Sequence, residues 1–60
     1  MIGNLPNDAM LCLSVVNTKL RDVYQSLDAL CEDIQVDRDA LVQKLQEIDY
    51  EYDSARNQFV

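Results

Sequence analysis

The stretch from Ser26 to Ile48 constrains the fold more than any other part of the sequence. Ser26 is a good N-cap, because its hydroxyl can accept a hydrogen bond from a free N–H group of the first helical turn. The apolar residues that follow it at helical spacing predict a helix over residues 27–34. Asp37 is a second N-cap candidate, and the apolar residues after it predict another helix over residues 38–48.

Two short helices joined by a tight turn are typical of the helix-turn-helix motif. The turn of that motif often contains glycine, whereas this sequence has Gln35 there. A plain helical hairpin, in which every apolar residue belongs to the core, fits the same length and periodicity. The sequence therefore leaves both geometries open.

A first helix is predicted over residues 8–24, with Asn7 or Asp8 as its N-cap. Its expected core stripe is Ala9, Leu13, Val16, Leu20 and Val23.

Three further apolar residues of this helix, Met10, Leu11 and Val15, lie off that stripe. The first half of the helix is thus apolar on nearly all sides. Either the C-terminal part of the chain folds back over these residues, or they meet another chain. Both interpretations remain open at the level of sequence.

The spacing of the apolar residues changes after Ile48, from the helical repeat to an alternating one. The alternation of aromatic and charged residues from Tyr50 to Tyr52 predicts a strand over residues 50–52. Residues 58–60 are predicted to form the second strand, paired with the first. Residues 53–57 are predicted to form the turn between the two strands. Asp53 can accept an Asx-type hydrogen bond there, and Asn57 tolerates the left-handed conformation.

These elements predict a mainly α fold with a small β-hairpin (α+β). We expect a single domain over residues 1–60, built as a three-helix, helix-turn-helix-like unit with a C-terminal two-stranded hairpin that resembles a wing. The predicted core consists of Leu13, Val16, Leu20, Leu27, Leu30, Ile34, Leu41, Leu45, Ile48 and Tyr52.

The composition argues against an enzyme. The chain has no histidine, its single glycine excludes glycine-rich phosphate-binding loops, and its two cysteines lack the spacing of a zinc or redox motif. Sixty residues also leave little room for a substrate pocket. We therefore expect no catalytic residues, no metal, no cofactor and no small-molecule substrate.

Residues 1–4 lack the basic residues of a signal peptide, and no apolar run is long enough to span a membrane. We expect a cytoplasmic protein without membrane association. Cys12 and Cys31 lie beside apolar stripes, so we interpret them as small buried hydrophobic residues with free thiols.

Several short motifs occur in a recognisable order along the chain. They are Leu5-Pro6-Asn7-Asp8, Lys19-Leu20-Arg21-Asp22, Ser26-Leu27-Asp28 with Leu30-Cys31, Tyr50-Glu51-Tyr52 and Asn57-Gln58-Phe59. In this order they resemble a family of very short bacterial proteins catalogued only as a domain of unknown function. The resemblance covers residues 5–59 and implies a stand-alone bacterial protein, but it supplies no activity.

The chain departs from the pattern expected of that family at two positions. It has Ala9 where we expect proline and Asp49 where we expect glycine. Asp49 must then leave the third helix without the conformational freedom of glycine, which aspartate manages more easily than most residues.

Two functions remain as hypotheses. The preferred one is a protein-interaction module that binds an unknown protein or its own copy as a homodimer. It rests on the spare apolar surface at Met10, Leu11 and Val15, on the small size and on the net charge of −6.

The alternative is a DNA-binding, winged-helix-like regulator. Gln43 and Gln46 on the outer face of the third helix could read adenine edges, with Arg56 at the tip of the wing. Asp39 and Glu47 share that outer face and would be repelled by phosphates, so we expect nucleic-acid binding to be the weaker hypothesis.

Overall fold

The computed structural model describes residues 5–60, so residues 1–4 of the predicted domain 1–60 lie outside the described residues. Its elements are α1 (Ala9–Asp22), α2 (Leu27–Ile34), α3 (Arg38–Gln46), β1 (Tyr52–Asp53) and β2 (Gln58–Phe59). The two strands are antiparallel and form a C-terminal hairpin. The predicted α+β fold is confirmed.

Each helix begins at a side-chain cap. Of the two candidates for α1, Asp8 is the cap, and its carboxylate accepts hydrogen bonds from the N–H groups of Met10 and Leu11. Ser26 caps α2, and Asp37 caps α3, as predicted. These side chains satisfy N–H groups that have no partner within the helix, and so they fix where each helix starts.

The helix ends differ from the sequence prediction. The third helix was predicted to continue to residue 48, but it ends at Gln46. The Tyr50 N–H group donates back to the Leu45 carbonyl at 3.0 Å, and Asp49 takes the left-handed conformation at φ 65°. This is the Schellman pattern, in which glycine is the usual left-handed residue. Asp49 therefore adopts, without being glycine, the left-handed conformation that ends the helix.

The connection between α2 and α3 uses the same conformation. Gln35 caps α2 with a φ of 57°, and the Val36 N–H group donates to the Cys31 carbonyl at 3.0 Å. Residues 35–37 form the whole connection, which is as short as the turn of a helix-turn-helix motif. This length is compatible with both geometries left open above.

The first helix stops at Asp22 rather than at residue 24. The N–H groups of both Val23 and Tyr24 donate to the Lys19 carbonyl, so the regular pattern of hydrogen bonds is lost there. Val23 was predicted to lie in the core stripe, and this is wrong: its exposed fraction is 65%. The reason is its place as the C-cap, with a φ of −122°, where the helical periodicity no longer sets the direction of the side chain.

One apolar core lies between the three helices and the hairpin. Its buried residues are Leu5, Cys12, Leu13, Val16, Leu20, Leu27, Leu30, Cys31, Leu41, Leu45 and Phe59. Ile34, Ile48 and Tyr52, which were predicted as core, are only half-buried and pack against its edge. Their places are at the end of a helix, in a turn and in the two-residue strand β1, where one side of the residue faces solvent.

The hairpin is shifted relative to the predicted strands 50–52 and 58–60. Tyr52 pairs with Phe59, and their rings lie 5.5 Å apart between centroids. Tyr50 cannot join the ladder because its N–H group closes α3. Val60 does extend the pairing, since it exchanges two backbone hydrogen bonds with Glu51 at 2.8 and 2.9 Å.

The turn of the hairpin follows the prediction. The Asp53 carboxylate accepts hydrogen bonds from the N–H groups of Ala55 and Arg56, at 2.9 and 3.3 Å. Asn57 then has a φ of 54°, the left-handed conformation that asparagine tolerates.

The Asn17 side chain attaches β2 to α1. Its amide oxygen accepts from the Phe59 N–H group at 2.8 Å, and its amide nitrogen donates to the Phe59 carbonyl at 3.1 Å. These are the two bonds that a neighbouring strand would make. The amide therefore covers this edge of β2, which would otherwise present unpaired backbone groups.

A second set of polar contacts joins the hairpin to two helix ends. The Asn57 amide nitrogen donates to the carbonyls of Leu20 and Tyr24, each at 3.0 Å, at the end of α1. Its amide oxygen accepts from the Tyr52 hydroxyl at 2.6 Å, and that hydroxyl accepts from the Leu27 N–H group at 3.2 Å. Groups left without helical partners at the end of α1 and the start of α2 are thus satisfied by the hairpin.

Leu45→Ala tests the core. Leu45 is completely buried, so we expect the substitution to lower the free energy of unfolding by about 2–5 kcal/mol. Val23→Ala is the control, because Val23 is exposed and its truncation should change stability by less than about 0.5 kcal/mol. Chemical denaturation followed by circular dichroism measures both; equal stabilities would show that α3 is packed with the wrong face inward.

Tyr52→Phe tests the polar contacts of the hairpin. The change leaves the Leu27 N–H group and the Asn57 amide oxygen without a partner, and we expect a loss of about 1–3 kcal/mol in the free energy of unfolding. Tyr50→Phe removes the hydroxyl of another half-buried tyrosine for which the structure of residues 5–60 shows no hydroxyl hydrogen bond. A loss as large for Tyr50→Phe as for Tyr52→Phe would contradict the role given to this network.

Candidate interaction surface

The side of α1 that faces away from the core forms a surface that we call the α1 outer face. It comprises Met10, Leu11, Ser14, Val15 and Thr18. The exposed fractions of Met10 and Leu11 are 55% and 60%, which places two large apolar side chains in solvent. Ser14 and Thr18 are exposed as well, and they extend the face by another two turns of helix.

Val15 differs from the prediction. It was expected to point away from the core, but it is half-buried and packs against the core at one flank of α1. On the helical projection Val15 lies further from the centre of the outer face than Leu11 does. One side of Val15 therefore contacts the core, and the other side faces solvent. The exposed apolar surface is therefore centred on Met10 and Leu11.

The hairpin does not cover this surface. It is attached to α1 through Asn17 and Phe59, and Met10 and Leu11 keep more than half of their surface exposed. Of the two interpretations that the sequence left open, folding back of the C-terminal part is thus insufficient to bury them.

The α1 outer face is also uncharged. Residues 9–18 contain no charged side chain, although the chain as a whole has sixteen, eleven acidic and five basic. The next charges along the exposed side are Arg21 and Asp22, which pair with each other at 2.9 Å. Depletion of charged residues is also a feature of the central part of protein–protein interfaces.

The outer face of α3 lies exposed as predicted. Gln43 and Gln46 are in solvent, and so are Asp39 and Glu47 beside them. Arg56 is exposed at the hairpin turn, with its guanidinium 3.8 Å from the Asp53 carboxylate. The proposed DNA-reading amides thus sit between carboxylates, in an environment that repels phosphate.

A shallow open cleft of about 330 Å³ lies between the end of α3 and the hairpin. Its lining includes Gln46, Asp49, Glu51 and Val60. Within residues 5–60, no three His, Cys, Asp or Glu side chains are grouped so that they could hold a metal ion. Among residues 5–60, the cleft brings together two carboxylates, an amide and the Val60 side chain.

The two thiols are part of the core, as the sequence predicted. Cys12 and Cys31 are both buried and free, and burial raises the pKa of each thiol above its ordinary value. A raised pKa leaves less of the reactive thiolate at neutral pH. Neither residue is therefore placed to act as a nucleophile.

Sequence comparison supports the resemblance given by the motifs. A family model described as a domain of unknown function (DUF4250) matches residues 6–59. The chain belongs to this family. No curated protein and no solved structure matches the chain.

Membership of the DUF4250 family accounts for nearly the whole chain but assigns no activity to it. The geometry of this member therefore carries the functional argument. Sequence reasoning named Met10 and Leu11, with Thr18 near them, but missed Ser14 as part of the same face. The signal was present in the uncharged run of residues 9–18, whose polar members lie one or two turns from Leu11.

Within residues 5–60, no helix is both long and apolar enough to cross a bilayer.

Proposed function

We propose that this DUF4250 protein is a non-enzymatic interaction module that binds another polypeptide through the α1 outer face. The exposure of Met10 and Leu11 is the observation that carries the proposal. Burying apolar surface contributes about 25 cal/mol per Å², so two large side chains offer a partner a useful part of its binding free energy. Val23, at the C-cap of α1, and the final residue Val60 are the other large apolar side chains that are exposed among the described residues.

The chemistry of the chain supports a binding role over a catalytic one. The sequence lacks histidine, both thiols are buried with raised pKa values, and the cleft at the end of α3 is shallow and lined by carboxylates. We also infer a cytoplasmic location, which suits free buried thiols because the cytoplasm keeps cysteines reduced.

Leu11→Asp tests the binding role. Leu11 is the third residue of α1, where an acidic side chain suits the helix dipole, so the helix should persist. Affinity capture from the native host, using a tagged chain, should then lose its specific partner. Ala40→Asp is the matched control, since Ala40 is exposed at the third position of α3 and lies away from the α1 outer face.

Retention of every captured protein by the Leu11→Asp variant would contradict the proposal. The same conclusion follows if the unmutated chain captures neither itself nor any other protein. Circular dichroism of both variants shows whether the fold is intact, so that a loss of binding is not confused with unfolding.

DNA binding is the second candidate, because Gln43 and Gln46 are exposed on α3 where a recognition helix would present them. The adjacent acidic side chains and the net charge of −6 oppose it. We expect no measurable binding to random duplex DNA at physiological salt. Fluorescence anisotropy with a labelled duplex is the measurement, and a micromolar complex that weakens steeply with added salt would reverse the ranking.

A further inference from the structure

We infer that Met10, rather than either cysteine, is the sulfur at which peroxide modifies the folded protein, and that its oxidation to the sulfoxide weakens binding through the α1 outer face. The weakened binding rests on the proposed function, because it concerns the same surface. The oxidation of Met10 concerns the protein alone and has a test of its own.

The three sulfur-containing side chains of residues 5–60 differ in exposure. The exposed fraction of Met10 is 55%, whereas those of Cys12 and Cys31 are 0% and 6%. Both cysteines belong to the apolar core between the helices. Peroxide in solvent can therefore reach the Met10 side chain without any movement of the fold, but it reaches the two thiols mainly when the fold opens.

This difference reverses the usual order of reactivity. An accessible thiolate is ordinarily oxidised more readily than a thioether, so the order depends on how well the thiols are protected. Burial raises the pKa of both Cys12 and Cys31, which keeps them as the less reactive thiol at neutral pH. A thioether needs no deprotonation before it reacts. Enclosure and protonation thus protect the two cysteines, and neither protects Met10.

The step is the transfer of one oxygen atom and two electrons. A lone pair on the Met10 sulfur attacks one oxygen of hydrogen peroxide, a sulfur–oxygen bond forms and the O–O bond breaks. The departing hydroxide takes the proton of the transferred oxygen and leaves as water. The sulfur is oxidised to the sulfoxide and the peroxide is reduced, so hydrogen peroxide is the sole co-reactant.

The sulfoxide changes the chemistry of the α1 outer face. Met10 and Leu11 are the two large apolar side chains of that face, which contains no charged residue. Oxidation converts one of them into a polar group with a hydrogen-bond acceptor. Burying this oxygen against an apolar surface without a donor costs free energy, whereas in solvent it stays hydrated. The oxidised face therefore binds an apolar partner surface less well.

The position of Met10 separates this change from folding. Met10 is the second residue of α1, and its backbone N–H group donates to the Asp8 carboxylate at 2.9 Å. Its side chain takes no part in that bond and lies outside the apolar core. The oxidised chain should therefore keep its helices, and circular dichroism before and after oxidation measures this.

Graded hydrogen peroxide, applied to the reduced and folded chain at neutral pH, tests the site of oxidation. Tandem mass spectrometry assigns each added oxygen to one residue, and Met10 should be oxidised at least about threefold faster than Cys12 or Cys31. The same chain unfolded in urea is the control. There the two thiols should react at least about tenfold faster than in the folded chain, while the rate at Met10 should change by less than about threefold.

Affinity capture from a lysate of the native host, with the oxidised tagged chain as bait, tests the effect on binding. Leu11-dependent capture should fall at least about tenfold. Methionine sulfoxide reductase with dithiothreitol should restore it, whereas dithiothreitol alone, which reduces disulfides and sulfenic acids, should not. Met10→Leu is the matched variant: compared with its own untreated form, it should lose no capture on exposure to peroxide.

Oxidation of Cys12 or Cys31 before Met10 in the folded chain overturns the site. Undiminished capture by a chain oxidised at Met10 overturns the effect on binding and leaves the interaction function standing. A loss of capture that dithiothreitol alone reverses, or that Met10→Leu shares, belongs to the thiols and also overturns it. If the untreated chain captures nothing, the interaction function and its regulation fall together, while the site of oxidation is decided by mass spectrometry alone.

Discussion

The side chain of Asn57 is the contact on which the arrangement of this small fold depends. Its amide nitrogen donates to two carbonyls at the end of α1, and its oxygen accepts from the Tyr52 hydroxyl, which in turn accepts from the first N–H group of α2. One amide and one phenol therefore satisfy backbone groups from two helices. The left-handed backbone of Asn57 also closes the hairpin turn, so the same residue shapes the hairpin and fixes it in place.

This placement decides which side of α1 is covered. The hairpin inserts Phe59 into the core, and Asn17 binds the Phe59 backbone as a neighbouring strand would. Both contacts lie on the core side and one flank of the helix, and Met10 and Leu11 remain outside them. So short a chain buries a smaller fraction of its surface than a larger domain does, and Met10 and Leu11 belong to the part that it leaves exposed.

The fold was largely predictable from local signals, since the caps Ser26 and Asp37 and the apolar spacing depend on near neighbours. The helix ends were less predictable. The exposure of Val23 depends on where α1 stops, and it stops where the Tyr24 N–H group donates to the Lys19 carbonyl, five residues back, in place of the regular helical partner. The contacts of Asn17 join residues 42 apart, and periodicity carries no information about such pairs. At the candidate site, the exposure of Leu11 followed from its angle on the helix, whereas the half-burial of Val15 depends on the packing at the flank.

Stability and association are linked in a chain of this size. A domain of about sixty residues supplies only a few kcal/mol of net stability, roughly 3–5, from a single core. A partner that binds only the folded chain adds to that stability by mass action, in proportion to the logarithm of its concentration over the dissociation constant. In the proposed function, a partner bound at the α1 outer face would stabilise the folded chain in this way.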